Sequence, residues 1–188
     1  MARKKPAKGR GKAAARTVKR KAPARKAARR KVEPVPAASG SLVPGLALRG
    51  AADAIAWYVK VFGAKERSRM PGPDGKIMHA ELRIGNRVLF VGEEAPQMGA
   101  PSPQTLGGSA VSLMHYVKDV DATFARAVAE GARPVMPPAD MFWGDRYGMV
   151  LDPWGHRWGL ATHTVDLTPA QMTKGMNEWM ASQGAAPA

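Results

Sequence analysis

The sequence predicts an α+β fold: two paired βαβββ modules whose curved mixed sheets surround a cup, plus a C-terminal helix and a disordered N-terminal tail. Three observations lead there. Short apolar strands alternate with two amphipathic helices, the order strand, helix, glycine stop and hairpin occurs twice, and the excess positive charge sits at one end.

The chain has 188 residues and a formal net charge of +14. Residues 1–31 hold 15 Lys or Arg and no acid, which leaves 14 basic against all 15 acidic residues in 32–188. The fold is therefore near neutral and only the tail is a polycation. Ala, Pro and Gly between the tail charges offer nothing to bury, so 1–31 and the Pro-containing linker 32–41 are expected to stay unfolded. Residues 42–180 form the expected domain, with modules at about 42–94 and 109–163, and 181–188 a flexible end. Zero Cys excludes disulfides, thiolate catalysis and Cys-ligated zinc, and it fits a reducing, cytoplasmic compartment. No apolar run approaches the ~20 residues of a membrane span.

In chain order, 42–48 is a short apolar strand. Residues 51–62 follow as a helix, because Ile55, Tyr58, Val59 and Phe62 fall at i, i+3, i+4 and i+7, and Gly63 stands where a left-handed residue ends it. Residues 77–84 and 87–91 are strands joined by the Gly85-Asn86 turn. The Pro- and Gly-rich stretch 95–108 is an exposed connection. The order then returns: a strand over 110–117, a helix over about 120–130, Gly131 as its stop, and strands around Tyr147 and Trp158.

The two helix-to-glycine segments align at an offset of 68, pairing Asp53 with Asp121 and Gly63 with Gly131; the hairpins align at 70, pairing Gly85 and Arg87 with Gly155 and Arg157. Matches at helix start, helix stop and turn tip argue for an internal duplication. Thr168, Pro169 and Gln171 then offer a cap, a first-turn proline and a capping-box partner for a final helix, whose apolar face is Met172, Met176, Trp179 and Met180. That face packs on its own domain or on a second subunit.

The segments AIAWYVKVFGA (54–64), MHAELRIG (78–85) and DPWGHRWGLATH (152–163) resemble the vicinal oxygen chelate, or glyoxalase/bleomycin-resistance/dioxygenase, superfamily, and within it the PhnB-like branch. The resemblance covers 42–180. It implies a small molecule as partner, frequent homodimers, and, in the metal-dependent members, His or Glu ligands on the first and last strands of each module. Those positions fall near Pro44, Leu89, Ser112 and Gly159, none of them a usual ligand. His115 is three residues from Ser112, and an odd shift along a strand turns it away from the cup. The expectation is no metal and no cofactor.

Within the cup, His79 and Glu81 alternate onto one strand face and could work as an acid–base pair, or as a polar outer face with ion pairs. Ser112, Met114, Trp143, Arg146 and Tyr147 are the expected ligand contacts, with aromatic walls and one anion-binding fork. The 152–158 segment is hairpin architecture instead. No GxGxxG, GxxxxGK[ST], HExxH or GxSxG motif is present.

The tail has separate chemistry. Arg3, Lys4, Lys5, Lys8, Arg10, Lys12, Arg16, Lys19, Arg20, Lys21, Arg25, Lys26, Arg29, Arg30 and Lys31 make a flexible polycation resembling histone-H1-type tails, suited to phosphate backbones and to nucleoid association without reading sequence. The expected protein binds a small molecule without a metal and is tethered to nucleic acid. The alternative is a lyase, isomerase or dioxygenase-type enzyme of the same superfamily.

Overall fold

Gly50 adopts a left-handed backbone, φ 81°, and turns the chain from strand β1 (Gly45–Leu48) into helix α1 (Ala51–Phe62). The Glu93 carboxylate accepts from the Gly50 and Ala51 amides at 2.9 and 3.0 Å, so an acid capping the positive end of α1 replaces a side-chain cap. Gly63, φ 64°, ends the helix, its amide bonded to the Tyr58 and Val59 carbonyls. This computed structural model describes residues 1–2, 34–36 and 39–184; the tail cations expected to bind nucleic acid lie outside them.

Strands β2 (Lys65–Pro71), β3 (Ile77–Ile84) and β4 (Arg87–Glu93) complete the first sheet in the order β1-β4-β3-β2. β1 runs parallel to β4 and the other pairs are antiparallel. A one-turn helix, α2 (Pro103–Leu106), interrupts the connection. Strand β5 (Ser112–Tyr116), helix α3 (Val120–Ala129) and strands β6 (Arg133–Asp140), β7 (Asp145–Leu151) and β8 (Arg157–His163) then repeat the plan as β5-β8-β7-β6. The same order in both mixed sheets is the expected α+β duplication.

The ladders refine its spacing. Gly45 pairs with Phe90 as Met114 pairs with Gly159, so the first and last strands correspond at an offset of 69. Glu81 opposite Phe90 matches Met149 opposite Gly159, an offset of 68 for β3 and β7, which makes His79 the counterpart of Tyr147.

α1 and α3 cover one face of each sheet and share a single core. α1 supplies Trp57, Tyr58 and Phe62, which pack edge-on or tilted against Trp154 and Trp158 of the second module; Phe62 and Trp158 lie 4.6 Å apart. Each fully buried side chain of this size contributes roughly 1.5–3 kcal/mol relative to exposure. Asp152, only 3% exposed, ties the modules together. Its carboxylate accepts from the Tyr58 hydroxyl (2.7 Å), Trp158 Nε1 (2.9 Å) and the Trp154 and His156 amides.

Helix α4 (Pro169–Gly184) starts with the expected capping box: Thr168 and Gln171 bond reciprocally. It meets the rest of the fold where Gly175 and Trp179 touch Phe142, while Met176, Trp179 and Met180 remain exposed. No helix among the described residues is long and apolar enough to cross a membrane.

Candidate functional site

Alternation along the strands divides each sheet into a helix-covered face and an open face. On β3, Ala80, Leu82 and Ile84 are buried under the helix, and His79, Glu81 and Arg83 point the other way. On β8 the core takes Trp158 and Leu160, so Arg157, Gly159 and Ala161 share the open face with Ser112, Met114 and Tyr116 across β5, and with Tyr147 and Asp145 across β7.

Asp145 is the centre of that second open face. It is 3% exposed and accepts from three elements: Tyr116 Oη (2.9 Å), Trp143 Nε1 (3.1 Å) and His163 Nδ1 (2.7 Å). His163 Nε2 also meets Asp166 at 3.0 Å. The hydrogen bonds to Asp145 and then Asp166 raise the His163 pKa above the ordinary imidazole value, and the Asp145 bond raises that of the Tyr116 phenol. Of the residues in this hub, only Trp143 was expected from the sequence, as an aromatic wall. The available signal was parity, since Asp145 is two residues from Tyr147 on one strand.

Tyr147 lies over Gly159. A Cβ built at residue 159 would stand 2.8 Å from both Cε2 and the hydroxyl of Tyr147. Trp143 packs on the same ring at 5.8 Å. Burial raises the Tyr147 pKa, with the Arg157 charge opposing it. Trp143, Tyr147, Ser112 and Met114 are thus brought to one surface.

Arg146 is not. Expected as an anion fork beside Tyr147, it lies on the opposite face of β7, where its guanidinium is held by Asp121 at 2.6 and 2.8 Å and Asp140 at 3.2 Å. Adjacent residues of a strand point to opposite faces, and both carboxylates sit on the helix side. His115 likewise points inward, its ring 5.4 Å from Phe62, and burial lowers its pKa. On the first module, His79 packs edge-on against Phe90 at 4.8 Å, and Glu81 is 3.6 Å from Arg67. No hydrogen bond joins His79 to Glu81 among the described residues.

A cavity of about 850 Å³ runs from the open face at Ala47, His79 and Phe90, along the connection at 99–111, to His156 and Arg157. The connection is pinned rather than loose. Glu94 accepts from the Thr105 hydroxyl, Arg49 Nε (2.6 Å) and the Ser102 amide and hydroxyl (2.9 and 2.7 Å), which together hold its pKa down at about 2. On the other side Gln104 Nε2 donates to the Pro153 carbonyl, and Pro103 packs on Gly155.

The four positions expected near metal ligands divide by face. Ser112 and Gly159 are on the open face, while Leu89, paired with Leu82, is turned into the core. The register-matched set is Gly45, Phe90, Met114 and Gly159. Neither set offers an imidazole or carboxylate, and among the described residues no three His, Asp or Glu side chains gather as a metal site. Among the described residues, the side chains at these positions are not a donor set for a divalent ion.

Over 123 residues, 64% of this chain and 72% of the relative, the sequence is 49% identical to the uncharacterized protein Rv0887c of Mycobacterium tuberculosis (strain ATCC 25618 / H37Rv). TioX from Micromonospora sp. ML1 is similar in structure with a TM-score of 0.52 and 34% identity, over 65% of this chain and 97% of TioX. PA1353 from Pseudomonas aeruginosa gives 0.53 and 26%, over 66% and 98%. Residues 44–160 match the family profile across both modules, and the chain belongs to the Glyoxalase/Bleomycin resistance protein/Dioxygenase superfamily.

Proposed function

We propose that this protein binds a small organic molecule on the open faces of its sheets without a metal, in the manner of a carrier or sequestering protein. The observation that carries the reading is the Tyr147 ring over Gly159: the place where metal-dependent relatives present a ligand is filled by an aromatic side chain. Rigid aromatics and a buried carboxylate hub lie on the open face of the second sheet, outside the lining of the cavity of about 850 Å³, and the two adjoin at Arg157, which lines the cavity and shares that face. The segments MHAELRIG and DPWGHRWG support a place in the PhnB-like branch. The enzyme reading through His79 and Glu81 has less support, since no hydrogen bond joins the two among the described residues and the nearest cation to Glu81 is Arg67 at 3.6 Å.

A homodimer fits the uncovered apolar face of α4 and the exposed Met114 and Tyr116. The N-terminal polycation adds a sequence-independent tether to nucleic acid. If about 10 of its charges engage, the slope of log affinity against log salt is near −9. Deleting residues 1–31 then abolishes salt-sensitive DNA binding, and binding that survives deletion overturns the tether.

Thermal shift against a library of aromatic metabolites, run with and without chelator, tests the cup. Stabilisation that chelator leaves intact is the expected result. A stoichiometric divalent ion in purified protein, lost on chelation together with the stabilisation, overturns the reading.

A further inference from the structure

We propose that Arg157 is the anion anchor of the cavity, and that the ligand is a flat, largely apolar molecule carrying one carboxylate or comparable acidic group. This rests on the small-molecule reading above and names the ligand class.

The cavity walls are mostly apolar, with Ala47, Met78, Phe90, Pro101, Leu106 and Val111 among them. Four titratable side chains line it: His79, Glu93, His156 and Arg157. Three of these are occupied. Both oxygens of Glu93 accept from amides at the start of α1, so its charge is directed at the helix terminus. The His156 ring is bonded to the Ala47 carbonyl at 3.1 Å. His79 is laid edge-on against Phe90, which makes it part of an aromatic wall.

Arg157 has no carboxylate and no hydrogen-bond partner among the described residues. The contrast with Arg146 is direct. Arg146, on the helix side of the neighbouring strand, is held by Asp121 and Asp140, whereas Arg157 projects from the open face between Ser112 and Leu151. Its charge is also felt at the Tyr147 hydroxyl, which has no hydrogen-bond partner among the described residues. A planar guanidinium at the edge of an apolar cavity, with no acid to satisfy it, is complementary to a carboxylate that it can grip with two parallel hydrogen bonds. The pinned connection keeps the opposite wall in place, so the ligand's apolar body meets a preformed surface.

Two fluorescent probes with one skeleton separate the terms: 8-anilinonaphthalene-1-sulfonate carries an anion, and N-phenyl-1-naphthylamine lacks it. Both are titrated into the full-length protein and its Arg157→Met, Arg157→Lys and Arg146→Met variants at constant salt, with thermal melts to confirm folding. The expected result is anionic-probe affinity about tenfold above that of the neutral probe, the difference being lost in Arg157→Met and partly kept in Arg157→Lys, where charge remains without the fork. Neutral-probe affinity and the Arg146→Met variant stay at wild-type values. An unchanged anionic-probe affinity in Arg157→Met overturns the anchor while neutral-probe binding still upholds the cup. Failure of both probes to bind wild-type protein overturns the cup itself, and the anchor with it.

Discussion

The hydroxyl-bearing edge of Tyr147 occupies the space that a side chain at Gly159 would need, 2.8 Å from where its Cβ would stand. Glycine is kept there by a neighbour and not by backbone conformation, because residue 159 is in a regular strand. Gly159→Ala should destabilise the fold by about 2 kcal/mol, the cost of overpacking a fixed ring. Urea denaturation of Gly159→Ala, Tyr147→Ala and the double variant checks it: the double variant should be more stable than the sum of the single losses. Strict additivity would mean that the ring moves aside at no cost.

Asp152→Asn should cost about 3 kcal/mol, since the carboxylate takes four donors in the core and an amide can face only some of them. Because these donors come from α1, from the β7–β8 turn and from β8, both modules should lose stability together. A single, earlier denaturation transition by circular dichroism is the expected readout. Two separated transitions would contradict it.

The imidazoles give opposite pH dependences. The His163 pKa is raised in the folded state, so its stabilisation is fully present below the unfolded value of about 6.5 and is lost as pH rises through the folded value. The His115 pKa is lowered by burial, so the fold loses stability as pH falls from about 6.5 through the folded value. His163→Gln should therefore be less stable than wild type at mildly acidic pH and converge with it on the alkaline side. His115→Leu should flatten the acid limb. Chemical denaturation across pH reads both, and NMR titration of the His163 ring should show a midpoint that falls in Asp145→Asn.

Removal of α4 should leave the remaining fold intact, because the helix rests on it at Phe142 while its Met176, Trp179 and Met180 face outward. At concentrations low enough for the protein to be monomeric, a chain ending at Leu167 should melt within a few degrees of the full-length protein, with a larger gap at concentrations where the proposed dimer forms. A large drop would show that α4 is covered in solution by more than Phe142.

Most of the fold was legible because its signals are local. The Ile55-to-Phe62 stripe, the glycine stops and the two turn tips each fix one element, and their repetition fixes the other module. β2 and β6 escaped element-by-element assignment for physical reasons: KERSRMP is exposed along its whole length, and RPVMPPAD carries three prolines that a strand at the sheet edge can accommodate. The site was less legible. Parity correctly turned His115 inward, and the same rule separates Arg146 from Tyr147. The Asp145 hub required knowing that Tyr116, Trp143 and His163 converge, which depends on strand order and turn geometry rather than on any motif.

The five tryptophans divide into two groups with different surroundings. Trp57, Trp154 and Trp158 sit in the shared core around Tyr58, where the two modules meet; Trp143 and Trp179 flank Phe142 at the edge of the open face. The first group is an intrinsic optical gauge of global unfolding and the second of events at the open face and α4. Replacing Trp143 and Trp179 by Phe leaves emission that follows cooperative melting alone. Subtracting it from the wild-type signal gives a label-free trace of ligand arrival.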